Sequence, residues 1–267
     1  ATSAALAMDA GLMIEVDYDM LDAVVDPEQA LADRVVLHDA AGTNRTWHGV
    51  WDCGNVDQAF ADAAHVVKID RLHFHRFSST PLEASACVAE WNRRGELDLL
   101  CNNSFIGFAV QLLAPALRLP THKIRMRTAD VGGSFGIKIG NYPYFALAAL
   151  ASRKAGGRKV KWAETRSEHN QSAGHGNERT FRDTEVALDA NGVITGIRTR
   201  AIDDCGAFPR YEPLGCVIWS QVLPATLSVR NLRIDFTQTL TNKCPVIPNR
   251  GYSRMQHLWF MERVVDI

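Results

Sequence analysis

The sequence lacks a long hydrophobic run, a strong net charge and a leader-like beginning. It contains no run of about 18 consecutive apolar residues, so no membrane-spanning helix is expected. Its formal net charge is −1, which does not favour nucleic acid or an anionic membrane as a partner. The apolar stretch at residues 1–17 has no basic region before it, so it is not typical of a signal peptide.

Closely spaced cysteines are also missing. No C-x-x-C pair occurs and no cysteine lies near a histidine at ligand spacing, so neither structural zinc nor an iron-sulfur cluster is expected on this chain. Scattered cysteines are typical of a reducing compartment, and we therefore expect a cytoplasmic protein. The six cysteines are Cys53, Cys87, Cys101, Cys205, Cys216 and Cys244.

What the sequence does contain is ordinary globular composition. The 267 residues are 46% hydrophobic and 22% charged, which is enough for a sizeable core. Helical and strand patterns are mixed without regular β-α-β alternation, so we predict an α+β fold of mixed sheets with packed helices. A change of composition near Ala64 predicts a boundary between residues 1–64 and residues 65–267.

Local patterns predict individual elements. Residues 40–55 are polar and contain glycine, so we expect a loop there. Asn-Gly at 191–192 and the glycine at 95 predict two hairpin turns. Helices are expected in residues 3–16 (running into a strand at 13–19), 27–33, 56–61, 108–119, 144–155 and 255–267. Strands are expected at 65–75, 84–90, 96–101, 124–128, 159–162 and on both sides of Asn191. In the last helix we expect one buried face of Met255, Leu258, Trp259, Met261 and Val265.

Three segments have residues suited to binding chemistry. The glycine-rich loop at 130–138 lets the backbone approach a ligand and form an anion-binding concavity, although such a loop, taken alone, is more often a simple turn. The segment at 245–254 presents Arg250 and Tyr252 after two prolines, or is a surface loop. The segment at 77–83 is either part of a site or a strand-to-strand connection. His73 and His75 have no third ligand nearby, so we interpret them as strand residues.

Taken in order, several short motifs resemble one family. They are Pro-Leu-Glu at 81–83, Val-Gly-Gly-Ser-Phe-Gly at 131–136, Glu-Thr-Arg-Ser-Glu at 164–168, Gly-Ala-Phe at 206–208, Thr-Asn-Lys at 241–243 and Arg-Gly-Tyr at 250–252. This set resembles the molybdopterin-binding subunit of the molybdenum hydroxylases, the xanthine dehydrogenase, aldehyde oxidase and carbon monoxide dehydrogenase family. Residues 15–28 resemble the end of that family's preceding small α/β, hammerhead-like domain. The resemblance therefore implies a partial small domain with a linker over 1–64, and the first part of the molybdopterin-binding domain over 65–267.

The resemblance also implies a cofactor and partners. In this family a molybdenum-pyranopterin, as molybdopterin or its cytosine dinucleotide, hydroxylates a carbon centre with oxygen from water. Electrons then leave through [2Fe-2S] clusters to FAD on partner subunits or domains.

By position, the resemblance implies roles for specific residues of this chain. Arg250 is expected near the molybdenum, and Tyr252 is expected to contact the substrate. Ser104 falls where the family commonly has a glutamine near the metal, and Asn103 is a possible substitute. Phe135 is expected beside the metal. The glycine loop is expected to bind the cofactor through Gly132, Gly133, Ser134, Phe135 and Gly136.

Departures from the family pattern narrow the range of expected substrates. Ile139 stands where the purine enzymes have a glutamate, and their substrate-binding arginine is replaced near Ile218, so xanthine is disfavoured. Gly251 replaces the cysteine of the copper-containing carbon monoxide dehydrogenases, and copper needs such a soft ligand. We therefore expect an aldehyde, ketone or N-heterocycle as the small-molecule substrate, and a copper-type carbon monoxide enzyme is a weaker alternative.

The family's general base, a glutamate, lies downstream of the segment that this chain spans. We therefore expect the chain to be an internal part of the subunit that is inactive alone. The alternative is a catalytically incomplete fragment, or a binding module, of the same fold.

Overall fold

The computed structural model describes residues 1–267 except 173, 211, 213, 216, 217, 219–221 and 223. Its strands are β1 Arg45–Cys53, β2 His65–Phe74, β3 Ala86–Trp91, β4 Leu97–Cys101, β5 Ile124–Thr128, β6 Val160–Ala163, β7 Glu178–Leu188, β8 Ile194–Asp204 and β9 Asn231–Thr239. Its α-helices are α1 Ala4–Leu12, α2 Pro27–Ala30, α3 Val56–Ala61, α4 Ile106–Leu117, α5 Tyr142–Lys154, α6 Arg166–Ser172 and α7 Arg254–Asp266.

Two mixed sheets organise the fold. The larger sheet has the strand order β1-β9-β8-β7-β2, in which β8 and β9 run parallel and the other pairs are antiparallel. The smaller sheet has the order β5-β4-β3-β6, with β4 and β5 parallel. This arrangement of mixed sheets with packed helices confirms the predicted α+β class.

Each sheet buries one face against helices. On the larger sheet Phe181 of β7 stacks on Phe260 of α7 with ring centroids 4.1 Å apart, and both rings are fully buried. On the smaller sheet Leu97 and Leu99 of β4 are fully buried in a cluster with Leu113 of α4 and Phe145 of α5. Burying a side chain of this size contributes about 1.5–3 kcal/mol, so these two clusters fix the helices on the sheets.

Both predicted hairpins are present. Gly95 and Gly192 take φ of 70° and 80° in the turns between β3 and β4 and between β7 and β8. On either side of the Gly192 turn, β7 and β8 pair over almost their whole length. The two turns were predictable because glycine adopts this left-handed conformation at little cost.

The expected loop at residues 40–55 was wrong, because residues 45–53 form the edge strand β1. The rings of Trp47 and Trp51 face inward and lie 6.0 and 5.7 Å from the ring of Phe236. The outward-facing residues that alternate with them are mostly polar. An edge strand carries polar residues on its exposed face, and this gave the segment its loop-like composition.

Two further expectations need correction. The strand expected at residues 13–19 is absent: these residues are exposed and have no regular structure after α1 ends at Leu12. The buried face expected for the last helix is also wrong, since Leu258 and Val265 are 42% and 52% exposed. That helix instead buries Gln256, His257, Phe260, Met261 and Val264.

Strands from both sides of residue 64 belong to one sheet. β1 pairs with β9 from Arg45 opposite Thr239 to Cys53 opposite Leu232. α3, which also precedes residue 64, packs against β8 and β9. Within the part of the chain that the structure describes, no helix is long and apolar enough to cross a membrane.

Candidate functional site

Three segments that are distant in sequence meet at one place. They are residues 77–83 after β2, the glycine-rich loop 131–138 after β5, and residues 248–250 before α7. The amide of Gly132 donates to Glu83 Oε2 at 2.7 Å, and the amide of Glu83 donates to the Gly132 carbonyl at 3.1 Å. This reciprocal pair joins the first two segments, so the glycine loop has a fixed position relative to β2.

A buried cation reinforces that junction. Lys138 is fully buried, and its Nζ lies 2.8 Å from the same Glu83 Oε2. The hydrogen bond from Lys138 is the main reason why the pKa of Glu83 lies below its usual value. The backbone carbonyl of Lys138 accepts from Asn103 Nδ2 at 2.6 Å, which ties the loop to the start of α4.

The glycine loop and the arginine segment touch through their backbones. The amide of Arg250 donates to the carbonyl of Phe135 at 2.7 Å. Gly136 has φ of 104°, and a Cβ there would lie 2.6 Å from the Pro248 carbonyl oxygen. Glycine is therefore required at 136 for the close approach as well as for the backbone conformation.

Phe135 and Arg250 face a common cavity of about 240 Å³. Phe135 takes φ of 52°, which is unusual for an aromatic residue, and its side chain is 47% exposed. The guanidinium of Arg250 lies 5.9 Å from the Phe135 ring centre. The cavity is lined by Phe77, Ser78, Ser79, Phe135, Asn249, Arg250 and Met255.

Ser104 lies next to the glycine loop. Its Oγ is 2.8 Å from Ser134 Oγ, and its side chain is exposed, but it is not among the residues that line the cavity. Asn103, the possible substitute, is buried and uses both ends of its amide, bonding to the Lys138 carbonyl and to the Phe105 amide. Its amide therefore supports the loop and does not face the cavity.

Tyr252 is directed into the protein. It is 7% exposed, and its hydroxyl donates to Glu212, which also accepts from Gln238 at 2.6 Å and Asn177 at 3.2 Å. Burial, followed by the charge of Asp203, raises the pKa of Glu212 above its usual value. The tyrosine therefore anchors the Arg250 segment from behind, and its ring does not line the cavity.

A second buried anchor holds the other end of this segment. Arg179 is fully buried and pairs with Asp203 at 3.0 Å. Its guanidinium also donates to Ser253 Oγ at 2.7 Å and to the Ser253 carbonyl at 3.3 Å. Ser253 has φ of 61°, so these bonds stabilise the bend from which α7 begins.

Sequence patterns alone did not reveal the residues that support the site. Lys138 lies between two isoleucines, and a lysine in an apolar stretch of a glycine loop is a signal for a buried, paired cation. Glu212 and Asn249 carry no such local signal. His73 bonds to Thr180 at 2.9 Å, and the described residues contain no group of three potential metal ligands.

Comparison with known proteins places this geometry in a family. A family model described as the molybdopterin cofactor-binding domain matches residues 37–267. The chain is 32% identical over 263 residues to the 6-hydroxypseudooxynicotine dehydrogenase complex subunit gamma of Paenarthrobacter nicotinovorans, covering 98% of this chain and 33% of that protein. It is 30% identical over 257 residues to the nicotine 6-hydroxylase large subunit of the same organism, covering 94% and 31%.

The fold of this chain is similar to that of a relative whose structure has been solved. The quinoline 2-oxidoreductase of Pseudomonas putida 86 superposes with a TM-score of 0.86 and 28% identity, covering 100% of this chain and 35% of that one. The chain thus spans about a third of the length of the relatives it matches. The match over residues 37–267, together with the glycine loop and arginine segment that meet at one cavity, shows that this chain belongs to the molybdopterin cofactor-binding domain family of the molybdenum hydroxylases.

Proposed function

We propose that the protein containing this chain is the molybdenum-cofactor subunit of an oxidoreductase that hydroxylates an aldehyde, a ketone or an N-heterocycle. The observation that carries this proposal is the convergence of the Phe135 loop and Arg250 on one cavity, joined by the bond from the Arg250 amide to the Phe135 carbonyl. The residues expected from the family resemblance to contact the cofactor thus adjoin one another in space.

The donors at this cavity fit an anionic cofactor. The amides of Ser134 and Phe135 have no acceptor within the described part of the chain. Arg250 is exposed and forms no ion pair with a described residue. Free amides in a glycine loop and a guanidinium are suited to anionic oxygen or sulfur atoms. A molybdenum-pyranopterin, with its thiolate and phosphate groups, matches this donor set.

Each residue has a physical task in this proposal. When bound, the molybdenum-pyranopterin supplies the oxidation chemistry that joins a water-derived oxygen to carbon. The loop amides and Arg250 bind anionic groups, and the exposed Phe135 ring orients a flat molecule by offset stacking. Ser104 and Ser134 add hydroxyl groups at the edge of the loop.

The substrate class is supported by two observations. The cavity has apolar walls from Phe77 and Met255 beside a small number of polar groups, as expected for a compact organic substrate. Two of the relatives are named for nicotine and quinoline, which are N-heterocycles. We therefore place N-heterocycles first. Gly251 provides no thiolate, and we propose no copper.

The remainder of the protein supplies what this chain does not contain. We propose FAD and [2Fe-2S] clusters on partner subunits or domains, and a glutamate general base outside the present sequence. The relatives are named as a subunit gamma and a large subunit, which supports a multi-subunit assembly. The chain alone is then expected to show no turnover.

The test is molybdenum and pterin content per full-length subunit, purified with its associated chains, followed by the Arg250→Ala variant. We expect about one molybdenum per subunit and oxidation of quinoline, nicotine or benzaldehyde. Arg250→Ala should lower kcat/KM or cofactor content at least tenfold, while Arg94→Ala in the exposed β3–β4 turn should change neither. A wild-type protein without molybdenum and pterin would instead support a binding module of the same fold.

A further inference from the structure

The side chain of Asn249 has one hydrogen-bonding end occupied and the other free. Asn249 is 2% exposed, and its Oδ1 accepts a hydrogen bond from the Ser79 hydroxyl. Oδ1 is therefore the occupied end of the Asn249 amide, and Nδ2 is the other end. Nδ2 is then a buried donor, and it has no acceptor among the residues that the structure describes.

A buried donor without an acceptor is rare, because it loses its bonds to water and gains nothing in return. Other buried side-chain amides of this chain have acceptors for their nitrogens: Asn44 Nδ2 donates to two carbonyls, and Asn103 Nδ2 donates to one. Asn249 differs from these because its side chain lines the cavity beside Arg250 and Phe135. Its free N–H is therefore available to a molecule inside that cavity.

A second polar atom at this cavity also lacks a hydrogen-bond partner among the described residues. Ser78 Oγ is buried without a partner in the described part of the chain, and Ser78 lines the same cavity. With the exposed guanidinium of Arg250, the cavity therefore has three donor groups from two segments. The apolar wall consists of Phe77, Phe135 and Met255.

We propose that Asn249 is a ligand-binding residue, whose Nδ2–H donates to a hydrogen-bond acceptor on the molecule that occupies this cavity. The required chemistry is an unprotonated acceptor, such as a ring nitrogen, a carbonyl oxygen or an anionic oxygen, on a compact, largely apolar body. This inference rests on the proposed function only for the identity of the occupant. The acceptor belongs either to the substrate or to the pterin cofactor, and the two sources are separable by experiment.

Two substitutions separate ligand binding from support of Ser79. Asn249→Asp keeps an oxygen for the Ser79 hydroxyl but replaces the donor with a second oxygen. Asn249→Leu keeps the approximate shape and introduces no charge beside Arg250. Asn191→Asp and Asn191→Leu, the same changes at an exposed position of the β7–β8 turn, are the matched controls.

The experiment uses the full-length subunit with its associated chains and a matched pair of probes. Quinoline has a ring nitrogen that accepts a hydrogen bond, and naphthalene has the same shape without one. Molybdenum and pterin per subunit are measured first, and the dissociation constants of both probes second. Unfolding midpoints of all variants show whether any loss is a loss of folding.

If the acceptor is on the substrate, both Asn249 variants should keep their cofactor and bind quinoline about tenfold more weakly, with naphthalene unchanged. If the acceptor is on the cofactor, both variants should lose molybdenum and pterin while remaining folded. In either case the two Asn191 variants should resemble wild type.

Wild-type cofactor content and wild-type quinoline affinity in both Asn249 variants would overturn the inference. So would equal weakening of quinoline and naphthalene, which would indicate a change of shape alone. A wild-type protein that lacks molybdenum but binds quinoline through Asn249 would overturn the proposed function and leave this inference standing. A wild-type protein that binds neither cofactor nor quinoline would overturn both.

Discussion

Lys138 Nζ lies 2.8 Å from Glu83 Oε2, and the two side chains differ sharply in exposure. The lysine side chain is 0% exposed, whereas the glutamate side chain is 45% exposed. The buried cation therefore depends on a partner that water also reaches. Loss of the glutamate leaves a buried charge uncompensated, whereas loss of the lysine leaves a carboxylate that water can hydrate.

This asymmetry predicts unequal effects of removing either partner. Glu83→Ala should lower the free energy of unfolding by about 3–5 kcal/mol, because Lys138 is left buried and unpaired. Lys138→Met should cost clearly less. The measurement is urea denaturation of each variant. Glu90→Ala is the control: its pair with Lys159 is exposed on both sides, and it should cost less than about 1 kcal/mol. Equal costs for Glu83→Ala and Lys138→Met would contradict this account.

Gly136→Ala should destabilise the protein more than Gly192→Ala. Both glycines have positive φ, of 104° and 80°, so each substitution carries backbone strain of about 1–2 kcal/mol. Only at Gly136 does the new Cβ meet another segment, at 2.6 Å from the Pro248 carbonyl oxygen; at Gly192 nothing lies within 4 Å. The unfolding midpoint and the cofactor content should both fall for Gly136→Ala, whereas Gly192→Ala should keep its cofactor.

The desolvated carboxylate of Glu212 predicts a pH-dependent effect on stability. Its pKa is raised above the ordinary 4.5 by burial and then by Asp203, so the folded protein holds this proton more tightly than the unfolded chain. The contribution of this proton to the free energy of unfolding is complete below pH 4.5. It is lost as pH rises through the folded-state pKa of Glu212.

Glu212→Gln cannot ionise and still offers an oxygen to Tyr252. The variant should therefore gain stability relative to wild type as pH rises above 4.5, measured by denaturation at several pH values. Glu262→Gln, at an exposed position of α7, should give a curve parallel to wild type. A constant difference between Glu212→Gln and wild type across this range would show that Glu212 does not hold the proton.

His257 predicts the opposite dependence of stability on pH from that of Glu212. Burial, followed by the charge of Arg179, lowers its pKa from 6.5 to about 3. The folded protein therefore resists protonation, and stability is lost as pH falls from 6.5 towards 3, by up to about 1.4 kcal/mol per pH unit. His257→Gln should flatten this part of the stability curve, whereas His122→Gln, at an exposed position, should leave it unchanged. Identical slopes in wild type and His257→Gln would exclude a neutral buried histidine.

Much of the fold was predictable where local chemistry determines structure. Gly95 and Gly192 mark turns that need positive φ, and Asp26 before Pro27 marks the start of a helix that its side chain caps. β1 was not predictable from composition, because its outward face is mostly polar and its pairing with β9 is distant in sequence. The face of α7 was misjudged because Gln256 and His257 are buried polar residues.

The candidate site was predictable only in part, and through the family resemblance. The motifs pointed to the glycine loop and Arg250, and the structure brings these together. The roles of Glu212 and Asn249 depend on tertiary partners far away in sequence, which no local pattern encodes. Whether Tyr252 contacts substrate stays a prediction, although its hydroxyl is engaged with Glu212.

The strand order of the larger sheet has a consequence for biosynthesis. β9 lies between β1 and β8, yet it is the last strand of that sheet to be translated. Until β9 emerges from the ribosome, β1 has no neighbour in the sheet and one edge of β8 is open. Unpaired strand edges are prone to intermolecular association, and such distant pairings form slowly. The nascent chain is therefore expected to depend on chaperones until β9 has been translated, and ribosome stalling before Asn231 should favour aggregation over folding.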